Sequence, residues 1–402
     1  MQINELMQAV NCKKWPESWE VYFPIAEKEY EENGCKYAYP EYYEMLSVKY
    51  NVLKEFLPLF QESARKIQGD RDFELFLYFL CYVLNNSKNL KEELPQFSQP
   101  VSPKNCDDIK YDMLTGLAIC SQLDTCYKNL IKRGLPEDII EETMNVPFNG
   151  VRGFMQRHNG NYGYDLLNWF QLSIRGELFQ FDKLQAQINS FFYCDVKVFQ
   201  NKKGEKIALS VNQKIHPSGH IVGAKFFEDE KDSFVSEFTE TDEKYIGYPL
   251  NEKGLVENKK IVLDKKEWKL ILEKGDPVIA LHIPANASLE DEKVEKFLDF
   301  IKEFFKKYYP DYKYRAITIG SWLMDPQLSE ILGENSKIVM FQKRFKKIQV
   351  ASRGESVFKF VFKKPNLNFE IKDLPEDTSL QKKIKNMYLF NKAIYEAVGY
   401  II

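Results

Sequence analysis

Little in this chain announces a chemistry. Its 402 residues hold no C-x-x-C pair, no P-loop, no dinucleotide-binding glycine fingerprint and no G-x-S-x-G elbow. The usual signatures of a thiolate metal site, a nucleotide-phosphate cradle and a serine hydrolase are therefore missing. Long apolar runs are missing too. Leu75 to Leu84 is among the longest, against roughly 20 residues needed to span a bilayer, so no membrane partner is expected. The first twenty residues are mixed and polar, with Trp15 and Trp19 among them, and do not read as a signal peptide. Charge of one sign is lacking: the formal net charge is -3 and the pI about 6.0. That balance gives no reason to expect a nucleic acid partner. Cysteines are seven in number (Cys12, Cys35, Cys81, Cys106, Cys120, Cys126 and Cys194). An odd set without paired spacing reads as reduced, buried thiols of a cytoplasmic protein.

What is there is bulk for cores. Hydrophobic residues make up 44% of the chain, with 30 Phe and 23 Tyr, and the length suits two or three domains. The first third has helical periodicity: Trp19 to Asn33, Tyr42 to Ile67, Arg71 to Asn85 and Asp107 to Lys132 repeat apolar residues at helical spacing. Leu94 to Pro103, with three prolines, reads as a linker. Shorter helical stretches follow to Ile174. At Gly176 the pattern changes to alternation, in Glu177–Gln187, Phe191–Gln200 and Lys206–Ile215. Pro277–Pro284 and residues 317–324 read as strands flanking a helix. Lys337–Val350 and Ser356–Lys363 read as two antiparallel strands turning at Ser352-Arg353-Gly354, and Ser379 to about Val398 as a closing helix. The expectation is an α+β protein: an all-helical N-terminal domain, then one mixed sheet over 177–363 with packed helices.

The helix after Ser288 carries one apolar stripe: Val294, Phe297, Leu298, Ile301, Phe304, Phe305 and Tyr308. Ser288, with Asp291 three residues on, reads as its capping box. A strand that turns into a helix start is where α/β sheets hold ligands. This makes Ile283, Asn286, Ala287 and Ser288 candidate binding residues, against the plainer reading of a capped turn whose acidic first turn repels anions. His282 lies at the carboxyl end of its strand, either as a base or as a hydrogen-bonded core histidine. Ser321 is a candidate proton donor or a backbone cap. Trp322 is a pocket wall or a core residue. Asp325-Pro326 reads as a helix start. Tyr162, within the turn His158–Gly163, and Trp169 and Arg175 close behind it are candidate pocket residues, Arg175 with a surface ion pair as its alternative. His216 and His220, without an acidic or cysteine partner, make a poor metal site and read as a turn. No metal is expected.

Three blocks of sequence, HIPANASL, YRAITIGSWLMDPQLSEIL and SKIVMFQKRF, resemble a bacterial acyltransferase family that joins a helical N-terminal domain to a GNAT-like C-terminal domain. The shared positions are His282-Ile283-Pro284, Leu289, Ser321-Trp322-Leu323, Asp325-Pro326, Leu328, Ser336, Ile338, Phe341 and Phe345. Arg175 to Phe181, His216 to Gly223 and Leu374 to Gln381 are similar to further blocks of that family. The resemblance implies a helical N-acyltransferase N-terminal-like domain over 1–145 and a GNAT-like acyltransferase domain over 146–402. It implies acetyl-CoA or another acyl-CoA as co-substrate, and a small-molecule or peptide amine as acceptor. It also implies splayed strands at 277–284 and 315–323 with the acyl-pantetheine arm between them; for such a site His282, whose imidazole can titrate near neutral pH, is the candidate base and Ser321 the candidate proton donor. The chain departs from the pattern where Asn286 and Ala287 replace a loop glycine, and it has no glycine-rich pyrophosphate loop. The alternative is a non-catalytic GNAT-fold binding or interaction protein. A hydrolase using Ser321 has no visible His–Asp partners.

Overall fold

The computed structural model describes residues 1–88, 90, 93, 112–157, 160–164, 166–222, 231–284, 287–351, 355–364, 367–390 and 392–402. The linker at 94–103, His158-Asn159, Gly223, Asn286 and the turn 352–354 thus lie outside the described residues. The chain forms two compact units, Met1–Asp182 and Lys183–Ile402.

The first unit is built of helices: α1 (Ile3–Ala9), α2 (Trp19–Asn33), α3 (Pro40–Tyr50), α4 (Leu57–Ile67), α5 (Arg71–Asn86), α6 (Asp112–Ile119), α7 (Leu123–Lys132), α8 (Glu137–Asn145), α9 (Asn149–Arg157) and α10 (Leu167–Ile174), before a strand β1 (Leu178–Phe181). Asp70 caps α5 by accepting from the backbone N–H groups of Asp72 and Phe73. Edge-on rings lock α2 to α5: Trp19 and Phe23 meet Phe79 at centroid distances of 5.1 and 5.5 Å. Two expected helices are each broken. Asn51 and Leu53 take left-handed φ of 56° and 64°, which ends α3 and separates it from α4. A 3-10 turn at Cys120–Gln122 divides α6 from α7.

The second unit contains β2 (Leu184–Phe191), β3 (Val196–Asn201), β4 (Lys206–Ser210), β5 (Lys214–Ile215), β6 (Phe234–Val235), β7 (Thr239–Glu240), β8 (Lys244–Pro249), β9 (Ile261–Asp264), β10 (Trp268–Leu272), β11 (Pro277–His282), α11 (Asp291–Tyr308), β12 (Ala316–Ser321), α12 (Leu328–Leu332), α13 (Lys337–Lys343), β13 (Lys346–Gln349), α14 (Glu355–Phe360), α15 (Ser379–Leu389) and β14 (Ala397–Ile401). The strands do not make one mixed sheet, as the alternation suggested, but two larger ones. The first has the order β2-β11-β12-β14-β13, the second β10-β3-β4-β8-β7 with β9 beside β8. Among the described residues only β11 and β12 are parallel neighbours, with α11 between them in sequence; the pairs β11–β2, β12–β14 and β13–β14 are antiparallel.

The C-terminal expectations need correction. Lys337–Val350 begins as helix: Ser336 caps α13 by accepting from Val339 N–H, and the strand is confined to β13. Ser356–Lys363 is not a strand. Val357, Phe358, Val361 and Phe362 bury one helical face in a cluster with Ile384, Met387 and Tyr388. The closing helix stops at Leu389, and β14 then inserts between β12 and β13. Alternation from Glu177 to Gln187 is two strands, because Asp182 turns the chain at φ 53°. The α11 cap is Glu290, with Ser288 two residues outside it.

Candidate active site at the end of the first sheet

Register decides which side chains meet. Ala280 pairs with Thr318 across the parallel ladder, and Ala280 and His282 pair with Gln187 and Gln185 across the antiparallel one. Paired residues share a face, and alternate residues along a strand share it too. One face at the carboxyl end of β11 and β12 therefore gathers Gln185, Gln187, Ala280, His282, Thr318 and Gly320. Further down the same face, Val278 and Ala316 are buried with Val196, Val198, Ala208 and Leu272 of the second sheet. The face is thus dry at one end and polar at the other.

Backbone partners also run out there. The β11–β12 ladder spans only Val278–Ala280 against Ala316–Thr318. β11 nevertheless continues to His282 beside β2, and β12 to Ser321 beside β14. Past Ala280 and Thr318 the two parallel strands run on without a ladder between them. Such a gap can take an extended ligand that bears amide groups, since backbone donors and acceptors demand partners.

His282 Nε2 lies 2.9 Å from Gln187 Oε1. The amide oxygen is an acceptor, so Nε2 donates and the lone pair stays on Nδ1. Burial lowers the His282 pKa to about 4, so the imidazole is neutral at pH 7. Tyr193, in the loop after β2, keeps 56% of its surface accessible. Burial nevertheless pushes its phenol well above the ordinary range. Its hydroxyl would stand 2.5 Å from a Cβ placed on Gly320. A side chain at 320 would require the Tyr193 phenol to move.

Other expected site residues fall elsewhere. Ser321 is on the strand next to His282, but alternation turns it to the opposite face. Its hydroxyl accepts from Leu323 N–H at 3.1 Å, which ends β12 in a 3-10 turn. Trp322 packs in the core: it is buried with Leu328, Phe358 and Tyr395. Ile283 and Ser288 are half-buried in the connection to α11. The Ala287 N–H is already spent on Pro284 O at 3.1 Å. The acidic start of α11 is offset by cations: Lys293 and Lys337 pair with Glu290, and Arg344 with Asp291. Tyr162, Trp169 and Arg175 belong to the first unit. Arg175 holds Glu177 through its Nε and a terminal nitrogen at 3.0 and 2.9 Å, the surface pair that was its alternative.

Sequence reading missed two features. Asp325 is fully buried and burial raises its pKa to about 6. Its carboxylate accepts from Tyr395 N–H at 2.7 Å and Gln327 N–H at 2.9 Å, while its carbonyl accepts from Gln342 Nε2 at 2.9 Å. The signal was the Asp-Pro pair, which showed a cap and concealed the burial. The second feature is the turn at His216–His220. It is a turn, as expected: Gly219 holds φ 87°, where a Cβ would meet Val256 O at 2.8 Å. Its side chains also form a chain of bonds. Ser218 Oγ lies 2.7 Å from His216 Nδ1 and 2.9 Å from His220 Nδ1. Ser218 N–H donates to His216 Nδ1, so that nitrogen is an acceptor. The hydroxyl then donates to His216 and accepts from His220 Nδ1–H, which puts the His220 lone pair on Nε2. Burial, then His216, lowers the His220 pKa to about 4. The His220 ring packs 4.7 Å from Tyr395, two residues before the Ala397 that pairs with Ser321. Both histidines thus lie toward the same end of the first sheet.

Among the described residues no group of three or more His, Cys, Asp or Glu is placed to hold a metal, and no helix is long and apolar enough to cross a membrane. No curated protein matches the chain by sequence. Solved structures match its whole length. An acyltransferase in complex with decanoyl-CoA and teicoplanin superposes with a TM-score of 0.62 at 14% identity, over 100% of this chain and 99% of that one. An acyltransferase in complex with CoA and 10C-teicoplanin gives the same values. A complex with decanoyl-CoA alone gives 0.57 at 16% identity, again over 100% and 99%. At such identities the likeness is one of fold. Residues 178–401 match the family described as the GNAT-like C-terminal domain. The match takes in more than half of the chain, and the protein belongs to that family.

Proposed function

We propose that the protein is an acyl-CoA-dependent N-acyltransferase, which moves an acetyl or other acyl group from a CoA thioester to an amine on a small molecule or peptide. The observation that carries this reading is the interrupted ladder between β11 and β12, beside a polar sheet face, in a fold shared with acyltransferases crystallised with acyl-CoA. An acyl-pantetheine arm has amides and a thioester to offer the unpaired strand edges. The helical region 1–145 would be the N-acyltransferase N-terminal-like domain and 146–402 the acyltransferase domain. Six described cysteines are free and buried, which suits a reducing, cytoplasmic setting.

In the proposed reaction the amine must lose a proton as it attacks the thioester carbon, and the departing thiolate must gain one. His282 and His220 are both neutral at pH 7, and a neutral imidazole can take a proton. His282 has the better position, since it stands in the face beside the strand gap. The Ser321 hydroxyl faces away, so it is the weaker acid candidate. The turn before α11 fits a pyrophosphate less well than the gap fits pantetheine, because the Ala287 N–H is engaged.

Titration with CoA, acetyl-CoA and octanoyl-CoA at millimolar concentration tests the reading. A ligand present at about 100 times its Kd stabilises by about 2.7 kcal/mol, which raises the melting temperature by several degrees. Stabilisation by CoA and its thioesters is the expected result. No shift with any of them would return the chain to the alternative, a GNAT-fold binding protein without acyl transfer.

A further inference from the structure

We infer that Glu396 is the residue that receives the amine acceptor, as an ammonium ion, at the open end of the first sheet. This rests on the proposed acyl transfer and gives its acceptor a place. At pH 7 an alkyl amine is a cation, and the group that binds it must bring negative charge. Two observations put Glu396 on the face that carries His282. The first is register. β14 pairs Val398 with Gly320, and Ala397 with Ser321 and Gln349. Val350 N–H donates to Glu396 O at 3.3 Å, so the extended chain continues one residue before β14. Alternation then sets Glu396 on the side of Val398 and Gly320, opposite Ser321. The second is Tyr193, whose hydroxyl stands over Gly320. Burial raises its phenol pKa most, then Cys194, then the charge of Glu396, so that carboxylate lies near the ring. This end of the face is open: Gly320 and Tyr193 are exposed, and Glu396 and His282 are half-buried.

The carboxylate is partnered but not neutralised. It accepts from the Ser356 hydroxyl, which leaves its charge and its other lone pairs. Among the described residues no lysine or arginine is ion-paired to it, and Lys392, the nearest cation before it in the chain, pairs with Glu330. A half-buried carboxylate without a counter-charge gains from an ammonium ion. Glu396 stands two strand spacings and a two-residue step from His282, roughly 12 Å between Cα atoms, and both side chains shorten that distance. An ammonium held by Glu396 thus waits beside the strand gap. It loses one proton to His282, and the neutral nitrogen bonds to the thioester carbon. The C–S bond breaks, and the thiolate takes the second proton that the nitrogen sheds. Holding the ammonium opposes its deprotonation, so the pair contributes to KM and not to kcat.

The test uses butylamine and glycinamide as probes, with the full chain and its Glu396→Gln, Glu396→Asp and Ser356→Ala variants. Calorimetry reads their Kd on CoA-saturated protein, and thiol release from acetyl-CoA reads their KM and kcat. Glu396→Gln is expected to raise Kd and KM at least about 10-fold, the worth of a charged hydrogen bond, with kcat and CoA affinity changed less than about two-fold. Glu396→Asp, which keeps the charge, is expected to stay within about three-fold of wild type. Ser356→Ala frees the carboxylate from its hydroxyl and is expected to leave amine binding unchanged. Added salt should weaken amine binding to wild type and not to Glu396→Gln. Unchanged amine binding in a folded Glu396→Gln protein overturns the inference. An equal loss in Ser356→Ala also overturns it, and makes Glu396 a structural tie to α14. If CoA binds wild type but neither amine does at tens of millimolar, this inference alone fails. If neither CoA nor acetyl-CoA binds, the acyltransferase reading fails and takes this one with it.

Discussion

Asp325→Ala is expected to destabilise the second unit by about 2–4 kcal/mol, read as a lower urea midpoint at unchanged m-value. The substitution leaves the backbone N–H groups of Tyr395 and Gln327 without their acceptor. Each unsatisfied buried donor costs about 1–3 kcal/mol, partly offset by no longer burying a carboxylate. Tyr395 leads into β14, the strand that lies between β12 and β13, so the loss is felt in the sheet as a whole. A loss below about 1 kcal/mol would show that Asp325 is not the fastener its bonds describe. The pH dependence gives an independent check. Burial raises this carboxyl from 3.8 to about 6, so the folded state holds the proton more tightly than the unfolded chain. Its contribution is fully present below about pH 4 and is lost as pH rises through about 6, the reverse of an ion-paired carboxylate. Asp325→Asn, which cannot titrate there, should remove that slope. The difference between wild type and Asp325→Asn isolates it from the histidines, whose lowered pKa values work in the opposite direction.

His282→Gln is expected to lower turnover about 10²-fold or more with any amine acceptor that supports transfer, if His282 takes the amine proton. His220→Gln is the matched control at the same end of the sheet. A large loss in His220→Gln with full activity in His282→Gln would move the base to the His216–Ser218–His220 chain. The acid limb of kcat/KM carries a second signature. A base loses activity as it becomes protonated, and the His282 pKa is lowered from 6.5 to about 4. The plateau should therefore extend down to about pH 5 and not fall away near 6.5. A folded His282→Gln protein that binds CoA as wild type does, and keeps full turnover across pH, removes His282 from the mechanism. Stability alone cannot decide this, because losing the bond to Gln187 also weakens the fold.

The frame of the candidate site was legible in the sequence: a strand, a helix and a second strand enclose His282 and Ser321, and three sequence blocks resemble an acyltransferase family. Trp322 was ambiguous for a simple reason: a large aromatic beside a strand end suits a core as well as a pocket. Tyr193 gave no signal at all. Its place beside Gly320, distant in sequence, is set by tertiary packing. The bonds of Asp325 likewise come from Tyr395 and Gln342, which no local pattern connects to it.

The sequence by itself determined the helical first third, the change to strands at Gly176, the parallel β11–α11–β12 unit and the family. These follow from local periodicity, capping and short motifs, which act within a few residues. Tertiary structure alone decided the rest. Residues 337–343 and 355–360 are short amphipathic helices because buried partners on α15 and in the 3-10 turn after β12 accept their apolar faces. Residues 397–401 are a strand because β12 and β13 present open edges to them. Which face His282 shares with Thr318 and Gly320, and which way Ser321 turns, is a matter of register. Register is set by partners distant in the chain, and a shift of one residue would have exchanged the two faces.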